Sequence, residues 1–546
     1  MNTPNSILGF WNVGSNGILK REKDALQKAI YSLYKPFFIV EDQNGFAVAQ
    51  DGYAVIGQAK AENALPLLAY IPALPLENLG DRSFCKDHGL EMPYVAGAMA
   101  HGINSIQMVE KLSEKGMLSF FGAAGLSPEK VKEAILYFSS KLKGKPYGLN
   151  LIHSPGEPGL EDSIVDLYLE HQVNLVEASA YLDLTLPLIR YRLSGIHCDE
   201  EGKIVTPHKI IAKVSRVELA EKFFSPPPEK LVAELVKMGK ITQKEASLSR
   251  HIPVAQDLTA EADSGGHTDN RPTFGLVPSM MALKNRLQAQ YNFAQALRLG
   301  VGGGIATPVS AAAAFTMGAA YLVTGSVNQA CTESGTSDTV REMLAQTQQA
   351  DVTMAHAADM FEMGVKVQVI KRGTMFAMRS ARLYEIYNQY ESLEQIPGTV
   401  RESLEKQFFH SPIEKVWSST CQYFEERDPS QIAKALKNSK YKMALVFRWY
   451  LGQTSRWAIS GIPERKIDYQ IWCGPAMGAF NEWAKNSFLE KPQNRHVSTI
   501  AWNLLYGAAI VMRINYLQAC GIQFPYHSLL PNPMTEEEIQ NFLIKH

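Results

Sequence analysis

Short apolar runs alternate with helical patterns over residues 92–335. In residues 104–115, for example, Ile106, Val109 and Leu112 recur at helical spacing, and glycine ends the segment. Eight runs are predicted to be strands: residues 93–96, 117–121, 147–151, 173–177, 210–214, 253–257, 299–305 and 321–324. Because these runs are short, apolar and broken by glycine at their C-terminal ends, they predict an α/β fold, a TIM (β/α)8 barrel buried on both faces. A doubly wound open sheet is the alternative.

The chain is longer than a single hydrophobic core usually supports. With 546 residues, we expect two domains, or one domain with a large addition. Residues 1–90 are predicted to form a small β-containing N-terminal region. Residues 91–340 are predicted to form the barrel, with a helical insertion after the fifth strand at about residues 225–250. Residues 341–546 are predicted to form a mostly α-helical C-terminal domain.

Four finer predictions concern the part of the chain that follows the barrel. Residues 338–363 have a helical pattern, and residues 365–369 alternate like a strand with one exposed face. Thr399 is predicted to cap a helix, because glutamate follows three residues later. Residues 497–521 are apolar but contain several polar side chains, so they predict a buried core helix rather than a membrane span.

Composition excludes some classes of function. The formal net charge of −1 provides no electrostatic attraction for nucleic acid or for an anionic membrane. The six cysteines are scattered, without the spacing of a metal site, so we expect free thiols in a reducing compartment. The first residues lack the pattern of a signal peptide. We therefore expect a cytoplasmic protein.

Two glycine-rich turns follow consecutive predicted strands. Gly302, Gly303 and Gly304 follow the seventh strand, and Gly325 with Ser326 follows the eighth. Glycine lets the backbone approach a phosphate closely and direct several N–H groups at it. A single turn of this kind is more often only a tight turn. Two of them after neighbouring strands of a barrel favour a phosphate site.

A histidine lies close to the same end of the predicted barrel. His267 follows Gly265 and Gly266, in a segment that is predicted to be a loop after the sixth strand. An isolated histidine in a loop usually has no role. At the C-terminal face of a barrel, however, an imidazole can polarise a carbonyl or supply a proton near neutral pH.

Small or polar residues at two other strand ends can contact a flat cofactor. Gly97, Ala98 and Met99 follow the first strand, and a flat aromatic ring over the barrel mouth requires small residues beneath it. A plain strand-to-helix turn explains these three residues equally well. Asn150, at the end of the third strand, can donate a hydrogen bond to a ribityl or phosphate oxygen.

Lys213 is a cation within an apolar strand. A buried lysine must form an ion pair or shift its pKa. An anionic ligand, such as a reduced flavin ring or a phosphate, would explain it. A salt bridge to Glu177 or Asp257 would explain it equally well.

The order of these motifs resembles that of a known group. Gly-Ala-Met follows strand one, Asn ends strand three, Glu-Ala-x-x-Gly-Gly-His follows strand six, Gly-Gly-Ile strand seven and Gly-Ser strand eight. This order, over residues 92–335, resembles the nitronate monooxygenase and flavin-dependent enoyl-reductase superfamily of FMN-binding TIM barrels. The glycine-rich turn that is common there after strand four is replaced here by residues 177–181, so substrate contacts at that loop are not transferred.

Longer strings narrow the resemblance. They are AADMFEMGVKV at residues 357–367, KRGTMF at 371–376, FRWYLG at 447–452 and DYQIWCGPAMG at 468–478. These strings are similar to the PfaD family, the trans-acting enoyl reductases of polyunsaturated fatty acid synthases and some polyketide synthases. The resemblance then covers nearly the whole chain.

The resemblance implies roles for individual residues. Gly97, Ala98 and Met99 would pack against the flavin ring, and Asn150 and Lys213 would contact the cofactor. FMN would also be bound by the backbone at Gly265, Gly266, Gly303, Gly304, Gly325 and Ser326, and the last four of these would hold its phosphate. The catalytic residue would be His267, beside the flavin. No metal is implied.

The implied activity is FMN-dependent enoyl reduction. Hydride would pass from NADPH or NADH through FMN to the β-carbon of a 2-enoyl thioester carried on an acyl carrier protein domain of a multi-enzyme synthase. The resemblance also implies a homodimer. A nitronate monooxygenase-like flavin oxidase and a non-catalytic assembly subunit are the alternatives.

Overall fold

Eight parallel strands close into a barrel in the computed structural model, which describes residues 7–14, 18–22, 24–57, 63–153 and 158–544. The strands are Tyr94–Ala96, Leu118–Phe121, Gly148–Ile152, Leu175–Ser179, Lys209–Val214, Asp257–Glu261, Arg298–Gly302 and Leu322–Thr324. Each strand pairs with the next, and the eighth returns to the first with Leu322 opposite Tyr94. This closure confirms the predicted TIM barrel and excludes the open sheet. The first four residues, which lack a signal-peptide pattern, lie outside the described residues.

Helices cover the outside of the barrel and connect its strands. They are Ile106–Glu114, Pro128–Lys141, Pro158–Glu170, Leu186–Leu193, Val217–Phe223, Glu229–Lys237, Gln243–Leu248, Thr273–Tyr291, Pro308–Thr316 and Ser326–Gln329. The predicted helical insertion after strand five is confirmed by the helices Glu229–Lys237 and Gln243–Leu248. Thr242 and Glu245 form the capping box of the second of these helices.

The sixth strand was predicted too early in the chain. Residues 253–255 are apolar, but the amides of Val254 and Ala255 donate to the carbonyls of Ser225 and Phe223, at the end of a preceding helix (3.0 and 2.9 Å). The strand begins instead at Asp257, and Thr259 is fully buried. Polar side chains that face the barrel interior concealed this strand from an argument based on hydrophobicity.

A five-stranded antiparallel sheet precedes the barrel. Its strands are Gly9–Asn12, Phe37–Asp42, Gly45–Ala49, Tyr53–Ile56 and Leu65–Ile71, and the helix Ala25–Tyr31 accompanies them. Arg82–His88, the next helix, begins with Asp81, whose carboxylate accepts from the Ser83 amide. The C-terminal end of the helix Ala25–Tyr31 is held by Arg513, from the helix Val497–Ala519, which donates to the carbonyls of Ile30 and Ser32.

The segment after the barrel corrects three predictions. Only Asp338–Ala345 of the predicted helix 338–363 is helical, because Val352–His356 is a strand. That strand pairs with Lys366–Ile370, which is the central strand of a three-stranded sheet and is buried from residue 367 onward, so it has no exposed face. Thr399 lies inside the helix Gly398–Ser403 and does not cap it, since Pro397 occupies the capping position.

The rest of the chain is mostly helical, as predicted. Its α-helices are Phe376–Gln389, Gly398–Ser403, Ile413–Arg427, Pro429–Lys437, Ser439–Ser460, Ala476–Ala484, Val497–Ala519 and Glu536–Ile544. One described helix, Val497–Ala519, is long and apolar enough to cross a membrane, but 94% of its most apolar window is buried inside the fold. The helix packs against the barrel helix Pro308–Thr316, so the prediction of a core helix is confirmed.

Candidate functional site

A cavity of about 390 Å³ lies over the C-terminal ends of the barrel strands. Barrel enzymes use this face of the fold for their active sites. The wall facing the barrel is formed by residues of the predicted helical C-terminal region. All twelve site residues predicted from the sequence line the cavity: Gly97, Ala98, Met99, Asn150, Lys213, Gly265, Gly266, His267, Gly303, Gly304, Gly325 and Ser326. The structure therefore brings the predicted residues together, and their roles remain predictions.

The turn after the seventh strand requires glycine. Gly303 has φ = +81°, and a Cβ atom there would lie 2.6 Å from the carbonyl carbon of Ala262. Gly304 has φ = +78°. Both values lie in the left-handed region, which side-chain-bearing residues rarely adopt. Glycine is therefore required here by the backbone conformation, which is of the kind that phosphate-binding turns use.

The turn after the eighth strand is built differently. Apart from its two chain neighbours, no atom of the described residues lies within 4 Å of the position that a Cβ of Gly325 would occupy. Ser326 is held in place from the C-terminal region, because its Oγ accepts a hydrogen bond from the Gly474 amide at 3.0 Å. Gly97, which follows the neighbouring first strand, has room for little more than hydrogen, since a Cβ would lie 2.9 Å from Val323 Cγ1. A side chain at Gly97 would therefore collide with the eighth strand, whereas one at Gly325 would enter open space.

Lys213 lies between two carboxylates in the barrel mouth. Its Nζ atom is 3.7 Å from Glu177 Oε2 and 3.6 Å from Glu261 Oε1. Of the two sequence-based partners, Glu177 is therefore confirmed and Asp257 is wrong, because Asp257 lies at the opposite end of its strand and pairs with Arg298. Burial alone would lower the pKa of Lys213, but the two carboxylates raise it, so the ammonium stays charged.

Glu177 is incompletely satisfied. Its Oε2 accepts from the Ala98 amide at 2.9 Å, whereas its buried Oε1 has no hydrogen-bond partner within the part of the chain that the structure describes. Full burial raises the pKa of Glu177, against the opposing effects of Lys213 and the Ala98 amide. Asn150 is fixed nearby, since its Nδ2 donates to the carbonyl of Glu177 at 3.0 Å and to Ser179 Oγ at 3.1 Å. A buried carboxylate oxygen without a partner is a feature of a site that a ligand completes.

His267 is positioned by the C-terminal region rather than by a loop. It lies in the two-residue strand Gly266–His267, opposite Val367, which corrects the loop prediction. Its Nε2 is 3.2 Å from Asp359 Oδ1, and 35% of the side chain stays exposed. Burial would lower the pKa of His267, but Asp359 outweighs this effect and raises it. The imidazole can therefore hold a proton at the cavity wall near neutral pH.

Several cavity residues were not found from the sequence. His101 stacks on Trp472, with ring planes 10° apart and centroids separated by 5.8 Å. Burial, followed by the charge of Arg456, lowers the pKa of His101 to about 4, so its ring is neutral. Three guanidinium groups also line the cavity, those of Arg427, Arg448 and Arg456. Arg448 and Trp472 belong to strings that indicated the family, but nothing in those strings indicated a place at the cavity. Arg427 and Arg456 lie on helices and His101 in the turn after the first strand, and they approach the cavity only in the folded chain.

The cysteines conform to the expectation of free thiols. All six cysteines are free, and burial raises the pKa of Cys473 to about 12. A thiol of this kind is a poor nucleophile at neutral pH. Within the described residues, no cluster of three His, Cys, Asp or Glu side chains could hold a metal ion.

Residues 83–411 match the family model for nitronate monooxygenase. The chain belongs to the nitronate monooxygenase family. Residues 390–469 also match the model for the inserted helical domain of [acyl-carrier-protein] S-malonyltransferase. This second match covers the helices that bring Arg427, Arg448 and Arg456 to the cavity.

Members of multi-enzyme synthases are among the relatives of this nitronate monooxygenase family protein. It is 42% identical to a subunit of the polyunsaturated fatty acid synthase of Thraustochytrium sp., over 91% of this chain and 33% of the relative. It is 44% identical to the polyketide biosynthesis protein PksE of Bacillus subtilis, over 80% of this chain and 57% of the relative. The chain thus spans between a third and three fifths of the length of these curated relatives.

A solved structure matches most of the chain. The enoyl reductase domain of MlnA, from the macrolactin biosynthesis cluster of Bacillus amyloliquefaciens, is 39% identical, with a TM-score of 0.77. The match covers 82% of this chain and all of that domain. Together with the synthase relatives, it confirms the resemblance to the PfaD family that the sequence strings indicated.

Proposed function

We propose that this protein is an FMN-dependent enoyl reductase of polyunsaturated fatty acid or polyketide biosynthesis, which acts in trans on carrier-bound 2-enoyl thioesters. The observation that carries the proposal is the cavity at the barrel mouth, where glycine turns, Lys213 and His267 line one space. The match over the whole of an enoyl reductase domain supports the same reaction class. The family model alone would also fit a flavin oxidase.

The residues of the cavity fit FMN. Gly303, Gly304 and the Gly325–Ser326 turn would hold its phosphate through backbone N–H groups. The backbone floor at residues 97–99 would carry the ring, and Lys213 would lie close enough to contact it. When bound, FMN supplies the hydride-transfer chemistry, taking hydride from NADPH or NADH and reducing the β-carbon of the enoyl thioester.

Two charged groups of the chain would assist this chemistry. Lys213 carries a positive charge that stabilises negative charge developing beside it, in a site where burial strengthens the interaction. His267, held in its protonated form by Asp359, would hydrogen-bond the thioester carbonyl or deliver a proton to the α-carbon. Lys213 thus provides a permanent positive charge, and His267 provides a proton that can be transferred.

The partners follow from the substrate. An acyl carrier protein domain would present the thioester, within a multi-enzyme synthase. We also propose that the protein is a cytoplasmic homodimer without a membrane or nucleic-acid partner. Of these points, the net charge of −1 supports only the absence of a membrane or nucleic-acid partner.

The proposal is tested by two half-reactions under anaerobic conditions. Enzyme reconstituted with FMN should bleach on addition of NADPH, and its colour should return when a 2-enoyl thioester is added. His267→Gln should slow the second step and leave the first nearly unchanged. An enzyme that is reoxidised only by oxygen with a nitronate would be an oxidase, and one that never bleaches would be an assembly subunit.

A further inference from the structure

Three arginines line one part of the cavity wall. Arg427 ends the helix Ile413–Arg427, and Arg448 and Arg456 lie on the helix Ser439–Ser460. All three line the same cavity as the glycine turns. The positive charge therefore comes from the helical region, whereas the glycine turns and Lys213 come from the barrel.

Arg427 and Arg456 both lie over the ring of Tyr423 rather than beside a carboxylate. The guanidinium of Arg427 lies 4.7 Å from the ring centroid of Tyr423, and that of Arg456 lies 5.6 Å from it. Arg427 Nη1 also donates to Tyr423 Oη at 2.6 Å. Among the described residues, no carboxylate lies within 4 Å of either guanidinium. Arg448, by contrast, is 3.3 Å from Glu362.

The carboxylates that line the cavity are paired elsewhere. Glu261 lies beside Lys213, and Asp359 beside His267. Asp263 accepts hydrogen bonds from Asn270 and Gln368 at 2.8 and 2.7 Å. None of these three forms an ion pair with Arg427 or Arg456, although Asp359 lies within electrostatic range of Arg448. Two like charges on one aromatic ring repel each other, so the arrangement favours binding of an anion between them.

The chemistry of the group indicates which anion fits. A guanidinium presents a planar fork of donors that matches the oxygens of a phosphate, and such charge-assisted bonds are strong. The nearby His101 is kept neutral by burial and, secondly, by the charge of Arg456, which together lower its pKa to about 4, so the positive charge at this wall comes from the arginines. The cavity already has a separate candidate site for the flavin phosphate in the glycine turns. The arginines are therefore available for a second phosphate.

We propose that Arg427 and Arg456, with Arg448 beside them, bind a phosphate group on a molecule that enters the cavity to react. Under the proposed function, on which this assignment rests, two sources share that chemistry. One is the phosphate ester of the pantetheine arm that carries the thioester. The other is the 2′-phosphate on the adenosine of NADPH.

Matched pairs of probes distinguish the two sources by titration calorimetry on the full-length protein loaded with FMN. The first pair is 4′-phosphopantetheine and pantetheine; the second is adenosine 2′,5′-bisphosphate and adenosine 5′-monophosphate. In the wild type, the added phosphate should strengthen binding in one pair at least tenfold. Arg427→Gln and Arg456→Gln should each remove most of that difference, and Arg456→Lys should remove less of it.

A control variant removes a similar contact outside the cavity. Lys434 lies 4.0 Å from the ring centroid of Tyr441, in the same helical region. Lys434→Gln should leave both pairs of affinities unchanged. Equal binding of both members of each pair in the wild type would overturn the proposal. It would also be overturned if the arginine variants kept the phosphate preference, or if they lost FMN instead.

The failure of this inference is separable from the failure of the proposed function, because calorimetry requires no turnover. If the protein shows no reductase activity but retains the phosphate preference and its sensitivity to the arginines, the proposed function fails and this inference stands. If it reduces enoyl thioesters while the variants bind every probe as the wild type does, the inference fails alone.

Discussion

The two ends of the barrel carry charged side chains of similar type, but they use them differently. At the N-terminal end, Asp257 accepts from Arg298 Nε at 2.6 Å and lies 2.8 Å from His88 Nε2. Arg298 also donates to Asp87 at 2.6 Å and to Ser83 at 3.1 Å. Burial alone would raise the pKa of Asp257, but His88 and Arg298 hold it at about 2. This network is short and tightly paired.

At the C-terminal end the ion pairs of Lys213 are long and incomplete. Lys213 Nζ is 3.7 Å from Glu177 and 3.6 Å from Glu261, and Glu177 Oε1 has no hydrogen-bond partner among the described residues. Incomplete pairing in a buried site costs stability, and a folded protein retains it where a ligand or a reaction uses it. We infer that the charged network at the N-terminal end, called the lower network, has a structural role. The charged groups around Lys213 at the C-terminal end, called the upper network, have a binding role.

Breaking the lower network should have the largest effect on stability. Asp257→Asn removes the negative charge beside a buried guanidinium and should lower the free energy of unfolding by about 3 kcal/mol. Denaturation followed by tryptophan fluorescence measures the change, and FMN affinity of the folded fraction should be retained. A loss below about 1 kcal/mol would show that the two ends do not differ as described.

Filling the glycine turn should affect binding more than stability. Gly303→Ala places a methyl group 2.6 Å from the Ala262 carbonyl carbon and should weaken FMN binding by about a hundredfold, because the phosphate turn must move. Gly239→Ala is the control, since φ is +67° there but the space around it is open. Similar FMN loss in both variants would attribute the effect to general backbone strain.

Removing the cation of the upper network should separate binding from folding. Lys213→Met should weaken FMN binding about tenfold and lower the free energy of unfolding by less than about 2 kcal/mol. The stability cost is small because Glu177, whose pKa burial already raises, can take up a proton when Lys213 is absent. Fluorescence titration with FMN and denaturation measure the two effects. A stability loss as large as that of Asp257→Asn would contradict the comparison.

The smallest expected effect is a shift in pH dependence. Because Asp359 raises the pKa of His267, the protonated imidazole persists at low and neutral pH and is lost as pH rises through that raised pKa. Asp359→Asn should move the alkaline limb of the enoyl-dependent reoxidation rate to lower pH. Asp338→Asn, at a carboxylate that is 89% exposed, should leave the limb in place. An unchanged limb in Asp359→Asn would exclude His267 as the titrating group.

The features that depend on neighbouring residues in the chain could be predicted from the sequence. Apolar runs and glycine turns identified the barrel and one wall of the cavity, because the backbone conformation at Gly303 depends on residues next to it. The start of the sixth strand was missed since Asp257 and Thr259 face the interior. The strand position of His267 was missed because its partner, Val367, lies 100 residues further along the chain.

The cavity wall that carries the arginines could not be predicted, because it depends on the packing of distant parts of the chain. Arg427 and Arg456 lie on helices whose pattern is that of any solvated face, and only the packing of the helical region directs them into the cavity. Asp359 belonged to a segment that was predicted to be helical. The identity of its partner depended on a sheet that forms between distant parts of the chain.

Flavin binding at the C-terminal end of the barrel can be measured from the absorption spectrum of the purified protein, before and after incubation with FMN and removal of the excess. We expect a yellow protein with about one FMN per chain, reduced to well under one in Gly303→Ala and unchanged in Gly239→Ala. A colourless protein that takes up no FMN, with the cavity residues intact, would contradict this expectation.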